Sequence, residues 1–360
     1  MQQNPNKFIS VSDIRRLEIG LTSLCNAGCP LCSRHVYGTS TVRNELPLGS
    51  MTYENFKKVT DELGSLTNNI ELTLGGVYGD PIACPSILDI LKYAVSFYKK
   101  ITVDTNGGIK SVDFWKELGV LSQLHDNKLE VKFSIDGLSD TNSLYRINTS
   151  YEKIMDNARN FINAGGYASW KFIVFKHNEH QIDTAKKLSK EMNFKKFRIL
   201  HTNRFPNGGK QFVESDAYSN KINSVVHYVT KSGFLLEPSS LAEVSNKEQR
   251  VADKTIINCK SIEQGYLYIS HDFKLWPCCY FDGVRIYDND FKYYWNNVTS
   301  IYGQEFNDLN KLSIQQILNS EYFINYLPEG WSGNKPRCQE CFNICGSYNY
   351  RKTKMEVLEN

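Results

Sequence analysis

The chain has 360 residues, 41% hydrophobic and 22% charged, a length that suggests two domains. Lys plus Arg total 42 and Asp plus Glu 39, a formal +3, too small an excess to point to nucleic acid or an anionic membrane as partner. The polar start, MQQNPNKFISVSDIRR, has no signal-peptide stretch and no later run approaches the ~20 apolar residues that span a bilayer, so a cytoplasmic protein is expected.

Strand-like runs at 16–22, 70–74, 101–105, 130–136, 170–175 and 196–200 alternate with helical patterns at 52–65, 85–99, 111–123, 150–164 and 179–192. Five crossovers joining six strands predict an α/β fold, a parallel sheet with helices outside. Six units fall short of the eight of a closed barrel, so an open, partial (βα)6 barrel is expected. Between 205 and 256 the pattern weakens: 206-PNGGK-210 is a break, and one helix is expected at 216–232. A β-hairpin follows at 265–279, turning at His271-Asp272, then a Tyr-, Trp- and Asn-rich segment with a helix at 312–325. The expected division is therefore an N-terminal extension (1–15), the partial barrel (16–204), a bridge (205–256), a small α+β domain with the hairpin (257–347) and a solvated tail (348–360).

In parallel α/β sheets ligands bind outside the carboxyl ends of the strands. Those ends run from Thr22 into a cysteine loop, from Leu74 into Gly75-Gly76, from Thr105 into Asn106-Gly107-Gly108 and from Ile135 into Asp136-Gly137. Four such loops on one face describe one site.

Ten cysteines in a chain without an export signal call for something other than disulfides, and their clustering points to metal. The first group, 25-CNAGCPLC-32, spaces Cys25, Cys29 and Cys32 as C-x3-C-x2-C. Three thiolates can ligate three corners of a [4Fe-4S] cube and leave one iron open, as a reactive metal site requires. A zinc site with His35 as fourth ligand is the alternative on spacing alone. The second group comprises Cys259, Cys278, Cys279, Cys338, Cys341 and Cys345; only Cys84 stands alone.

The first group, placed after the first strand, resembles the signature of the radical S-adenosylmethionine (SAM) superfamily, although Leu31 stands where an aromatic residue is common. The resemblance implies that SAM chelates the open iron and is cleaved on reduction to methionine and a 5′-deoxyadenosyl radical, which abstracts a substrate hydrogen. It also implies a SAM pocket. The loop 75-GGVYGDP-81 is similar to the family's Gly-Gly-Glu-Pro motif, with Asp80 as the acid for the SAM ammonium beside Gly75 and Gly76. The segment 133-FSIDGLSDTNSLYR-146 is similar to the family's Ser-x-Asp-Gly stretch, with Ser134 and Asp136 toward the ribose or methionine part and Arg146 toward the carboxylate. Thr105 and Asn106 would line the same pocket.

The late cysteines resemble the auxiliary-cluster domains called SPASM, with two clusters, and twitch, with one. Phe273 occupies the position of the glycine that usually precedes Cys278 by five residues. Six cysteines are too few for two clusters, and adjacent Cys278 and Cys279 point to opposite faces on a strand. One auxiliary [4Fe-4S] cluster on Cys259, Cys278, Cys338 and Cys341 is expected, with Cys279 and Cys345 as alternates; a zinc ribbon is the other reading.

Cys84 is a candidate hydrogen donor, or else a small buried hydrophobe. His177 and His180 would meet substrate or cap a helix, and the aromatic residues of 287–302 would contact substrate or pack over the clusters. The function expected from the resemblance is an oxidoreductase-type radical SAM enzyme that oxidises, crosslinks or epimerises a peptide or protein side chain, reduced by a flavodoxin or ferredoxin. A small-molecule dehydrogenase is the second reading and a non-catalytic iron–sulfur electron carrier the third. With about 15 residues before the first strand, no winged-helix-like leader-binding domain is expected there.

Overall fold

The computed structural model describes residues 8–202, 221–222, 225–226, 228–229, 235–240, 256–346 and 354–360. The six expected strands are all present: β1 (Arg16–Gly20), β2 (Glu71–Gly75), β3 (Lys100–Thr105), β4 (Leu129–Ser134), β5 (Tyr167–Val174) and β6 (Lys196–His201). They pair in parallel and in sequence order. The crossover helices are α1 (Tyr53–Leu63), α2 (Ile87–Ala94), α3 (Val112–Leu124), then the short α4 (Asn142–Tyr145) with α5 (Tyr151–Asn163), and α6 (Ile182–Glu191). Three of them start on a hydroxyl cap: Thr52, Ser111 and Ser150 each accept an N–H from the helix's first turn. The sheet is not closed, as a partial barrel requires.

The two faces of this sheet differ in chemistry. Leu17, Ile19, Leu72, Leu74, Ile101, Val103, Val131 and Phe133 are buried. Trp115 of α3 and Phe161 of α5 lie with ring centroids 5.2 and 6.0 Å from Phe133, so this is the face under the helices. The alternate positions are polar: Glu18, Thr73, Asp104, Glu130, Lys132, Lys171 and Arg198. Parallel strands buried on both sides usually read as continuous apolar runs. Here the concave face carries charge that is matched internally: Glu130 accepts from Ser169 (2.5 Å) and pairs with Lys100 (3.0 Å) and Arg198 (2.9 Å). Burial pushes Glu130 up, but Ser169, Lys132 and Lys100 hold it down to about 2.

The C-terminal part departs from expectation in its placement. The hairpin strands β7 (Tyr266–Ile269) and β8 (Leu275–Trp276) do not stand in a separate sheet; β7 pairs in parallel with β1 and extends the barrel sheet. Leu267 and Ile269 continue the apolar face, while Tyr266 and Tyr268 join the polar one. Gly20 makes this possible, because a Cβ there would lie 2.5 Å from the Tyr268 hydroxyl. The tail is exposed, as expected, but it is paired. Lys354–Glu359 form β9, antiparallel to β6, fastened by the Lys196–Glu359 ion pair (2.7 Å) and by Asn360 donating to the Phe194 carbonyl (3.0 Å).

Most of the 205–256 bridge, with the 206–210 break, lies outside the described residues. The helix expected at 216–232 is contradicted where the chain is described: 221–222 pair with 225–226, and 228–229 pair with 235–236, in antiparallel ladders. The helix α7 (Lys260–Gln264) leads into the hairpin, and α8 (Cys279–Val284), α9 (Asn289–Tyr302), α10 (Ile314–Leu318), α11 (Leu327–Ser332) and α12 (Gln339–Cys345) follow it. The helix expected at 312–325 breaks after Leu318 and resumes as a wide turn at Tyr322–Tyr326. Most aromatic residues of α9 pack: Trp295 lies 4.7 Å from Trp276 and 5.8 Å from Phe291, while Tyr293 is exposed.

Phe273 closes the hairpin with φ +61°, the left-handed conformation that suits glycine. The position where the resemblance places a glycine therefore needs that backbone. The buried ring is what this chain gains in return.

No helix among the described residues is long and apolar enough to cross a membrane.

Candidate active site

At the carboxyl ends of the strands lies a cavity of about 240 Å³. Cys25, Cys29 and Cys32 line it, as do Gly76, Asp80, Thr105, Asn106, Ser134 and Arg146. The three cysteines sit on a tight loop held by backbone bonds from Cys32 N–H to the Cys29 carbonyl (3.2 Å) and from Gly28 N–H to the Ile147 carbonyl (2.8 Å). Arg146 Nη1 approaches Cys29 Sγ (3.6 Å) and Asn106 Nδ2 approaches Cys25 Sγ (3.7 Å). Burial raises both thiols, Cys29 to about 11 even with the Arg146 guanidinium beside it pulling it down. A bound metal centre inverts that preference. Three thiols on one wall, with N–H donors directed at two of the sulfurs, fit a cluster held by three thiolates. His35, the fourth ligand of the zinc alternative, faces the Cys29 carbonyl through Nδ1 (3.0 Å) instead. Among the described residues no three His, Cys, Asp or Glu side chains converge as ligands of a single metal ion.

The loop after β2 approaches the cysteine loop as closely as glycine permits. A Cβ on Gly76 would lie 2.2 Å from the Gly79 carbonyl oxygen, and one on Gly79 2.0 Å from that of Thr22. Asp80 is the knot of the neighbouring loops. One carboxylate oxygen accepts from Ile82 N–H (3.0 Å); the other accepts from the Thr105 hydroxyl (3.0 Å), the Asn106 N–H (2.7 Å) and Asn106 Nδ2 (2.7 Å). Burial raises its pKa against these bonds.

Asp136 does not line the cavity. It is fully buried, accepts from Arg146 Nε (2.7 Å) and from Ile173 N–H (2.6 Å), and so holds the arginine in place. Gly75 is also set back, its Cα facing Glu18. Cys84 is sealed in the core with its thiol toward the Met51 carbonyl (3.7 Å), and it does not line the cavity. His177 stacks on Phe175 (5.4 Å) and His180 is exposed; neither reaches the cavity wall.

Several lining residues carry no motif. Asp104 and Lys171 form an ion pair (2.8 Å) on the concave face, and Arg34, Tyr145, Ile173, Leu200 and Thr202 complete the wall. The signal for Asp104 and Lys171 was present as charges at alternate positions of otherwise apolar strands. Below them Glu18 accepts from the Tyr266 hydroxyl (2.7 Å). Its burial, with Asp104 nearby, raises its pKa to about 7 despite that bond.

The late cysteines gather by a different route. Ile257 pairs with Gly346, and Asn258 N–H donates to the Cys345 carbonyl (3.0 Å), which sets Cys259 against Cys345. Their thiols hydrogen-bond, which lowers Cys345 and raises Cys259. Cys341 and Cys338 are hydrogen-bonded free thiols, and Cys278 feels both Cys341 and Cys345. The two alternates thus part: Cys345 joins the set, while Cys279 turns away to hydrogen-bond Tyr266 beside Glu18. Cys259, Cys278 and Cys338 each occupy the cap position before a short helix.

The fold and this cavity correspond to a known class. Residues 19–188 match the family model of the radical SAM superfamily. The family implies an enzyme that uses a [4Fe-4S] cluster and SAM. Among solved structures, Streptococcus suis SuiB bound to S-adenosylmethionine is 13% identical with a TM-score of 0.50, over 92% of this chain and 77% of that one. Native anSMEcpe with bound AdoMet and Kp18Cys peptide is 15% identical with a TM-score of 0.50, over 88% and 83%. At such identities the likeness is one of fold. The AdoMet-dependent heme synthase of Methanosarcina barkeri (strain Fusaro / DSM 804) is 26% identical over 114 residues, which span 28% of this chain and 31% of that protein.

Proposed function

We propose that the protein is a radical SAM oxidoreductase that modifies a peptide or protein side chain. The observation that carries the first half is the meeting of Cys25, Cys29 and Cys32 with Arg146, Asn106 and the Gly76–Asp80 loop in one cavity. In this reading the three cysteines hold a [4Fe-4S] cluster with one iron open to SAM. Cluster and SAM together supply a 5′-deoxyadenosyl radical that takes a hydrogen atom from substrate.

The chain's own residues do the positioning. Arg146 is oriented by Asp136 and offers its remaining N–H groups to the SAM carboxylate, as its planar fork allows. Asp80 is bonded to Thr105 and Asn106, so it serves less as an open acceptor for the SAM ammonium than as the tie that holds backbone at Gly76 against it. Ser134 faces the ribose.

Cys259, Cys278, Cys338 and Cys341, with Cys345 beside Cys259 as the alternate, support one auxiliary [4Fe-4S] cluster of the twitch kind, in a C-terminal unit seated on the barrel sheet. The protein works in the cytoplasm, where its thiols stay reduced and a flavodoxin or ferredoxin supplies electrons. The peptide half draws support from the fold shared with anSMEcpe, whose structure holds a peptide. A small-molecule dehydrogenase is the competing substrate class.

The test is deuterium transfer. Peptides encoded beside the gene, deuterated at carbon, are incubated anaerobically with reconstituted protein, SAM and dithionite. Deuterium in 5′-deoxyadenosine is the expected result. Deuterium from a small alcohol and from none of the peptides would replace the peptide reading by the dehydrogenase one.

A further inference from the structure

Arg34 lies two residues beyond Cys32, is 6% exposed and lines the same cavity. One terminal nitrogen, Nη1, donates to the Ser23 carbonyl, which fixes the side chain, while Nε is buried with no hydrogen-bond partner. Among the described residues no carboxylate lies within 4.0 Å of it. The other charges of the cavity are matched. Lys171 pairs with Asp104 at 2.8 Å and Arg146 with Asp136 at 2.7 Å, while Asp80 is taken up by Ile82, Thr105 and Asn106. A buried guanidinium with an idle N–H is costly unless an anion meets it.

We infer that Arg34 is the counter-charge of the cavity, donating its free N–H edge to the negatively charged sulfur face of a cluster on Cys25, Cys29 and Cys32 and raising that cluster's reduction potential. The inference rests on the proposed function. Three thiolates leave a [4Fe-4S] cluster with a net negative charge that grows by one on reduction. A fixed cation beside it therefore favours the reduced form, and hydrogen bonds to the sulfurs act in the same direction. Cys32 and Arg34 share one tight turn, in which His35 N–H donates to the Cys32 carbonyl (3.0 Å), and Arg34 is tied to the Ser23 carbonyl.

The SAM carboxylate is the other anion with chemistry to suit Arg34, and two measurements on reconstituted full-length protein separate the sources. The first is an EPR-monitored redox titration without SAM, comparing wild type with Arg34→Gln at equal iron content. The reduction equilibrium of the variant is expected to weaken at least tenfold, about 59 mV toward more negative potential for one electron. An unchanged potential overturns the inference. The second, equilibrium binding of SAM, then assigns the cause: a tenfold loss of affinity gives Arg34 to the SAM carboxylate, and no loss makes it a structural arginine. Should Arg34→Gln fail to fold, Arg34→Lys replaces it; it keeps the charge but lacks the Nε donor, and a smaller fall is expected, with no fall overturning the inference. Wild-type protein that takes up no iron on the three cysteines defeats the functional reading and this inference with it, an outcome told apart by iron analysis alone.

Discussion

The molecule carries two cysteine groups that use the same short spacings and meet opposite surroundings. Cys25, Cys29 and Cys32 sit on a loop over the mouth of the partial barrel and share a cavity with Arg34, Arg146, Asp80 and the Asp104–Lys171 pair. Cys259, Cys278, Cys338, Cys341 and Cys345 lie at helix caps and in α12, where Tyr294 and Tyr322 are raised by burial and feel the charge of Cys338 and Cys341. One group opens onto polar, ligand-sized space; the other is walled by aromatic residues. What shares the cavity, rather than the spacing, separates a reactive cysteine set from a closed one.

The contrast breaks most sharply under mutation. Cys29→Ala should remove about four irons per chain and all SAM cleavage. Cys278→Ser should remove a similar amount of iron and leave SAM cleavage without substrate intact. Equal loss of cleavage in both variants would end the distinction between an open and a closed site. A smaller effect is expected from Arg146→Lys, which keeps charge but cannot hold Asp136 and a ligand together. SAM should bind about 10- to 100-fold more weakly, in line with loss of one charge-assisted hydrogen bond, as read by calorimetry.

The smallest effect falls on Glu18, between the two regions. In the fold it keeps its proton up to about 7, against an ordinary value of 4.5. Between those values only the folded state holds the proton, so stability falls as pH rises through that window. Glu18→Gln has no such proton. Denaturant titrations should show the variant gaining on the wild type from pH 4.5 to 7 by on the order of 2 kcal/mol. A constant difference across that range would remove Glu18 from the account.

Much of this was legible in the sequence because strand ends and cysteine spacing are local signals. The alternation of 16–22 with 70–74 and the later runs reproduces β1 to β6, and the loops after Thr22, Leu74 and Thr105 do converge. What escaped was long-range. Nothing near Tyr266 says that it will pair beside Arg16, and nothing near Lys354 says that it will cover β6. The Asp136–Arg146 ion pair, closed across the α4 turn, is invisible in spacing, and so are the bonds that Asp80 accepts from Thr105 and Asn106. Cys345 meets Cys259, far off in the chain, which no local spacing shows. Phe273 shows the reverse case: a residue that looked like a departure occupies the left-handed backbone that a glycine would have taken.

The central claim is that the cavity beneath Cys25, Cys29 and Cys32 generates a radical from SAM. It is tested most directly by anaerobic incubation of the iron-reconstituted protein with SAM and dithionite, with 5′-deoxyadenosine measured by chromatography and mass spectrometry. The account predicts its formation by the wild type and none by Cys29→Ala. Intact clusters in the wild type without any 5′-deoxyadenosine would contradict it.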